Sequence, residues 1–259
     1  MKFLYNAPAI FHKDALIIGD AHFGIEGKLF RKGIFSNDFS EKLAEKIIEL
    51  LKQTKAKKII FLGDVKDDIT YLDQYTIRAF RKIKEYTDDA KNKIEIIIVR
   101  GNHDGGIENL GNGITIVPSD GFVYHGLGLI HGHSWPSEQC MKAKYLISAH
   151  QHPQIEFIDS SEKRHVETVW IVASPDEKII GEHYENFNKK ITLIMMPAFN
   201  PIIGNTIKTG EEKHLGPILN NKLFKWNDAL LYRLNGIPVR RLSSIKVARW
   251  EINEEEGKD

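Results

Sequence analysis

Three short runs of β-branched and leucine residues, Ala15–Ile18, Ile59–Leu62 and Ile94–Val99, alternate with two stretches of helical periodicity. In the first stretch Phe39, Leu43, Ile47, Leu50 and Leu51 fall on one face, predicting a helix from about Asp38 to Thr54. Asp38 and Glu41 are spaced as a capping box at its start. Leu72, Thr76, Ala79, Phe80 and Ile83 predict a second helix from about Tyr71 to Tyr86. Strands that are apolar throughout are buried on both faces, and this alternation builds parallel βαβ crossovers with right-handed connections. Ala9–Phe11 joins the first run through a hairpin turn at His12–Asp14.

The second half has a different rhythm. Ile114–Val117, Phe122–His125, Leu127–Ile130, Tyr145–Ser148, Ile155–Ile158 and Val166–Val172 read as short strands, broken only by a brief helix near Ser137–Ala143. Asn235-Gly236 is a hairpin signal between Leu230–Leu234 and Ile237–Leu242, and Pro238 places the second arm at an edge. Ser174–Lys190 reads as a charged surface excursion, and Glu254–Asp259 as a fraying end. The whole, residues 1–259, is expected to be one mixed α/β domain, its fold completed by strands within about 191–250.

Composition narrows the function. The chain is 42% hydrophobic and 27% charged with a net charge of +1, so any polyanion must be recognised by a local patch. A single cysteine, Cys140, excludes a disulfide framework and a cysteine-rich zinc site. No apolar run approaches the roughly 20 residues of a membrane helix, and the apolar start at Met1–Leu4 is soon interrupted by Lys13-Asp14. No membrane association is expected, and the expected location is cytoplasmic.

The strands end in chemistry. Asp20 and His22 follow the first run, Asp64 the second, and Arg100-Gly101-Asn102-His103-Asp104 the third. Taken alone the last stretch also reads as a turn, since Gly, Asn and Asp are turn residues. His131 follows Leu127–Ile130, and His150 and His152 follow Tyr145–Ser148. In open α/β sheets, sites form beyond the carboxyl ends of strands, so these groups can share one crevice. Imidazole, carboxylate and amide donors suit zinc, manganese, iron, cobalt or nickel rather than calcium. Seven donors exceed the three or so protein ligands of one open catalytic ion, which favours two metals. Such a pair acidifies a shared water and neutralises an attacked phosphoryl group, while an imidazole off the metals protonates the leaving oxygen.

Asp20-x-His22, Gly63-Asp64-x-x-Asp67, Gly101-Asn102-His103-Asp104, His131-Gly132-His133 and His150-x-His152 occur in this order. Together they resemble the five signature blocks of the calcineurin-like metallophosphoesterases. Asp20–Glu26, Ala149–Pro153 and Met196–Pro201 further resemble the ICC-like phosphoesterases, a subfamily related to the DNA-ligase-associated repair phosphoesterases. Ala149 departs from the glycine usual before the His-x-His pair. The resemblance implies a four-layer α/β/β/α sandwich of two mixed sheets with the site at their shared top edge. It also implies that Asp20, His22 and His152 hold one metal, Asn102, His131 and His150 the other, with Asp64 bridging. His103 becomes the general acid oriented by Asp104, and Asp67 steadies the loop or a ligand imidazole. Manganese is the first expectation for both ions, with nickel, cobalt, iron or zinc as alternatives.

The implied activity is phosphodiester hydrolysis on nucleotides or nucleic-acid ends, with DNA-repair proteins as partners. Phosphomonoester or nucleotide pyrophosphate hydrolysis is the alternative, and a non-catalytic metal-binding scaffold a third reading. His133 has a supporting or substrate-contacting role as one reading and a bland one as the other. Lys28, Arg31 and Lys32 meet phosphate or form a solvated loop. Arg240-Arg241 and Lys246–Arg249 track a nucleic-acid backbone or guard an edge strand. His12, His125, His165, His183 and His214 have no motif company and are assigned no function.

Overall fold

A computed structural model describes residues 1–158, 161, 163–206 and 216–244. The first half forms a six-stranded sheet of β1 (Lys2–Phe3), β2 (Ile10–His12), β3 (Ala15–Ile18), β4 (Lys58–Leu62), β5 (Glu95–Val99) and β6 (Ile114–Val117). The strands lie side by side in chain order. β3 to β6 are parallel, and β1 and β2 antiparallel. Helices α1 (Glu26–Arg31) and α2 (Phe39–Thr54) connect β3 to β4, and α3 (Gln74–Asp88) connects β4 to β5.

The second half builds a nine-stranded sheet from β7 (Phe122–Tyr124), β8 (Leu127–Ile130), β9 (Tyr145–Ser148), β10 (Pro153–Ile158), β11 (Arg164–Ala173), β12 (Thr192–Met195), β13 (Asn205–Thr206), β14 (Leu230–Arg233) and β15 (Pro238–Arg241). The order is β13-β10-β11-β12-β9-β8-β7, with β14 on β11 and β15 on β14. β8, β9 and β12 are parallel, so β8 and β9 end at the same edge. Helices α4 (Glu138–Met141), α5 (Glu177–His183) and α6 (Pro217–Asn220) accompany this sheet.

Alternation along the buried strands creates three cores. Leu16, Ile18, Ile59, Phe61, Ile96 and Ile98 face α2 and α3, while Ile17, Ile60, Leu62, Ile97 and Val99 face the second sheet. On that sheet Ile147, Trp170 and Ile194 close the middle core, and Leu146, Ile171 and Leu193 turn outward under α4 to α6. Three apolar layers separate four layers of secondary structure: the α/β/β/α sandwich of two mixed sheets. Truncating a residue of the middle core, such as Ile60, would cost about 2–5 kcal/mol through lost burial and the cavity left behind.

Several local expectations are corrected. The capping box at Asp38 does not form: its carboxylate reaches Lys42 at 2.9 Å, and Glu41 turns to Arg78 and Lys82 on α3. Instead, buried Glu26 accepts from the Ser40 backbone N–H at 2.7 Å and from its hydroxyl at 2.6 Å. α3 starts at Gln74, not Tyr71, because the Asp73 carboxylate accepts from the N–H groups of Tyr75 and Thr76. The stretch Ser174–Lys190 is not merely a surface excursion. Asp176 caps α5, and Ile180 and Tyr184 enter the outer core. Pro238 does sit on an edge strand, since among the described residues β15 pairs only with β14. His214, Lys246–Arg249 and Glu254–Asp259 lie outside the described residues. Among the described residues, no helix is long and apolar enough to cross a membrane.

Candidate metal centre

The carboxyl ends of β3, β4 and β5 meet those of β8 and β9 where the sheets stack. His131 bridges them: its Nδ1–H donates to the Leu62 carbonyl at 2.8 Å, which points Nε2 toward Asp64 Oδ2 at 3.4 Å. Asn102 Oδ1 lies 3.1 Å from the same nitrogen. The main chain places the carboxylates. Asp64 Oδ1 accepts from the His103 backbone N–H at 2.8 Å, and Asp20 Oδ2 from that of His150 at 3.0 Å.

Asp20, His22, Asp64, His150 and His152 all adopt positive φ, between 44° and 70°. Such conformations cost of order 1 kcal/mol or more in a non-glycine residue and persist where surrounding structure fixes them. Two glycines make the packing feasible. A Cβ on Gly63 would stand 2.5 Å from His131 Nδ1, and one on Gly101 2.3 Å from Asp64 Oδ1.

Asp20, His22, Asp64 and His152 form one cluster whose donor atoms all lie within 4.8 Å of one another, and Asp64, His131 and His150 another. Asp64 belongs to both. A third grouping, His22, Asp67 and His103, shares His22 with the first. Two donors about 2.1 Å from one ion stand about 3.0 Å apart at a right angle and about 3.4 Å apart at the tetrahedral angle. His152 Nε2 to Asp20 Oδ1 is 3.3 Å and His22 Nε2 to Asp64 Oδ2 is 3.6 Å. Among the described residues neither nitrogen has a hydrogen-bond partner, although both are buried. These atoms converge on a common point rather than on each other, and the donor set fits divalent metals.

Charge tells the same story. Burial alone would raise the carboxyls of Asp20 and Asp64, yet the facing imidazoles hold both below the usual carboxylate range. Burial would lower His131, but Asp64 and Asp20 push it up to about 9, so in the metal-free protein a proton does a cation's work. His150 is driven down to about 3 by burial and by the charge of His131.

Asp67 serves two imidazoles. Its Oδ1 lies 3.2 Å from His22 Nδ1 and accepts from Lys28 Nζ at 2.8 Å. Burial opposes ionisation, but the facing His22 ring and the bond from Lys28 keep its carboxyl below the usual range. Its backbone carbonyl accepts from His103 Nδ1 at 2.5 Å, which leaves His103 Nε2 turned to the site, 4.0 Å from Asp64 Oδ2. The expectation that Asp104 orients His103 is therefore corrected. Asp104 accepts from the backbone N–H groups of Asp64, Val65 and Gly101 and so ties two strand ends together. Lys28 is not merely solvated, because it is bound to Asp67. His133 lies outside the donor clusters, its ring 5.2 Å from that of His131, with a buried Nδ1 that has no hydrogen-bond partner among the described residues.

The family model of the calcineurin-like phosphoesterases matches residues 14–231. The chain belongs to this family. As a calcineurin-like phosphoesterase it is a hydrolase of phosphoesters, and the family uses divalent metals. Among solved structures, nuclease MPE of Pseudomonas putida superposes with a TM-score of 0.50 at 18% identity, covering 90% of this chain and 92% of that one. YfcE, a phosphoesterase from E. coli, superposes with a TM-score of 0.43 at 15% identity, covering 88% and 97%. No curated protein matches the chain.

Two supporting residues had no role in the sequence reading. Asn200 is fully buried, donates to the carbonyls of Ala21 at 3.1 Å and His22 at 3.5 Å, and accepts from Ile202 N–H. It thereby holds the strained turn that carries Asp20 and His22. Its signal was an Asn-Pro pair directly after an apolar run. Glu26 stood in the Asp20–Glu26 block, and its buried carboxylate anchors that loop to the start of α2.

Proposed function

We propose that this calcineurin-like phosphoesterase is a dinuclear phosphodiesterase, a single domain to which both sheets contribute ligands. Asp20, His22 and His152 would hold one ion and Asn102, His131 and His150 the other, with Asp64 shared. Manganese is the first choice for both. When bound, the ions acidify a water and neutralise charge on the phosphoryl group. His103 acts beside them. With Nδ1 bound to the Asp67 carbonyl, its Nε2 is the atom that delivers a proton to the leaving oxygen.

The observation that carries this reading is the pair of donor clusters sharing Asp64. Preference for a diester is supported by the shape of the entrance. Asp20 and His131 have no exposed side-chain surface, whereas His103 and His152 are 18% and 16% exposed, His150 is half-buried and Asn102 is exposed, so the crevice opens along this edge. A phosphorus with a second substituent can lie across such an edge. The fold is shared with a protein described as a nuclease, an enzyme class that cleaves phosphodiesters.

The test compares bis-nitrophenyl phosphate with mononitrophenyl phosphate, using manganese-loaded enzyme at neutral to alkaline pH. Faster hydrolysis of the diester is expected. A much faster monoester reaction would replace this reading with phosphomonoester hydrolysis.

A further inference from the structure

The chain that leaves His22 carries an apolar surface that folding does not bury. Phe30 and Phe35 are 64% and 78% exposed, and their rings meet edge to face with centroids 5.3 Å apart. Ile34 beside them is exposed as well. Between Gly27 and Asn37 there is no acidic residue, but there are Lys28, Arg31 and Lys32. The root of this arm is fixed to the metal centre, because Lys28 Nζ and His22 Nδ1 approach the same Asp67 oxygen, at 2.8 and 3.2 Å. On the other side of that contact, Ile69 and Tyr71 are exposed on the loop that follows Asp67. Lys28 thus pins together two loops that both present apolar faces.

We propose that this arm binds single-stranded nucleic acid and leads it to the site, a substrate class that rests on the phosphodiesterase reading. Exposed rings next to cations match a polymer that alternates flat bases with phosphates. A duplex hides its base faces in the stack, so only unpaired bases can lie on the rings. With a net charge of +1 the protein cannot attract a polyanion globally, and a local cationic strip is what such recognition requires. A lipid surface also suits aromatic rings and lysines, but it gives no reason for the arm to be rooted on the wall of a phosphoester site.

The geometry adds a length requirement. Two helical residues turn by about 200°, so Phe30 stands across α1 from Lys28, roughly a helix diameter of about 10 Å away. A strand with its scissile phosphate at His103 reaches the rings only beyond the nucleotides flanking that bond. Oligonucleotides should gain from the arm, whereas small diesters should not.

The experiment uses the Phe30→Ala/Phe35→Ala double variant. Fluorescence anisotropy of a labelled oligothymidine in EDTA reads binding without cleavage, and bis-nitrophenyl phosphate hydrolysis by the manganese-loaded enzyme reads the centre alone. Stacking one base contributes a factor of roughly ten to a hundred in affinity. The variant should therefore bind the single strand at least tenfold more weakly while hydrolysing bis-nitrophenyl phosphate within twofold of wild type. Wild-type protein that prefers a duplex, or a variant that binds the single strand as well as wild type, overturns the proposal. So does unchanged oligonucleotide binding combined with a loss of self-association in light scattering, or of binding to phosphatidylserine vesicles. If wild type binds the strand but does not hydrolyse bis-nitrophenyl phosphate, the phosphodiesterase reading fails and the arm stands.

Discussion

Replacing Asp67 by asparagine separates two jobs that this one residue performs. The substitution keeps the shape and the backbone carbonyl that holds His103 Nδ1, and removes the charge that faces His22 Nδ1 and Lys28. Carboxylates behind a ligand imidazole fix its orientation and raise its basicity, and losing one typically costs 10–100-fold in metal affinity, or about 1.4–2.7 kcal/mol. The Lys28 contact adds little to folding. Lys28 is 44% exposed, and solvent-screened pairs contribute about 0–1 kcal/mol. Calorimetric titration of manganese into metal-free protein should therefore show a 10–100-fold weaker site, with a melting midpoint lowered by only a few degrees. At saturating manganese, turnover of a diester with an alkyl leaving group, which depends on His103, should stay within a few-fold of wild type, because His103 keeps its acceptor. Unchanged metal affinity would refute the role of the carboxylate. Turnover at saturating metal as low as that of His103→Ala would refute the division between carboxylate and carbonyl.

His103→Ala should lower turnover by about 10²–10⁴-fold with metal content unchanged, and by much less for a nitrophenolate leaving group than for an alkyl one. Loss of a bound metal would show that this imidazole is a ligand. Asn200→Asp keeps the acceptor for Ile202 but sets an oxygen against the carbonyls of Ala21 and His22, so metal affinity should fall at least tenfold. Native affinity in that variant would show the turn to be held by other contacts. In the metal-free protein His131 is raised to about 9, so its contribution to stability is full below 6.5 and lost as pH rises through about 9. Asp20 and Asp64 are depressed, and their contribution is lost as pH falls below the usual carboxylate range. The melting midpoint in EDTA should thus fall as pH rises from about 6.5 to about 9, and hold over that range when manganese replaces the proton. A midpoint that rises through pH 9 in EDTA would contradict this.

The strands were legible because their apolar runs are continuous, and the donors because each follows such a run. Ile17, Ile60 and Ile97 announce a strand buried on both faces whatever surrounds them. Helix starts were less legible, since the competition for Asp38 is decided by Lys42, and the actual anchor of α2 is Glu26, far away in sequence. α5 was hidden because only Ile180 and its neighbours face the core and seven residues give little periodicity. The roles of Asp67 and Asp104 depend on which atom of each points where. No spacing encodes that. Asn200 acts on a turn some 180 residues earlier in the chain, a contact that only the closing of the two sheets creates.

The central claim is that one carboxylate, Asp64, joins two metal sites, and counting metals tests it directly. Wild-type protein reconstituted with manganese and freed of loose ions should carry close to two equivalents. Asp64→Ala, which removes the donor common to both clusters, should lose affinity for both together. One tight equivalent in wild type under saturating manganese, or one fully retained equivalent in Asp64→Ala, would contradict the account.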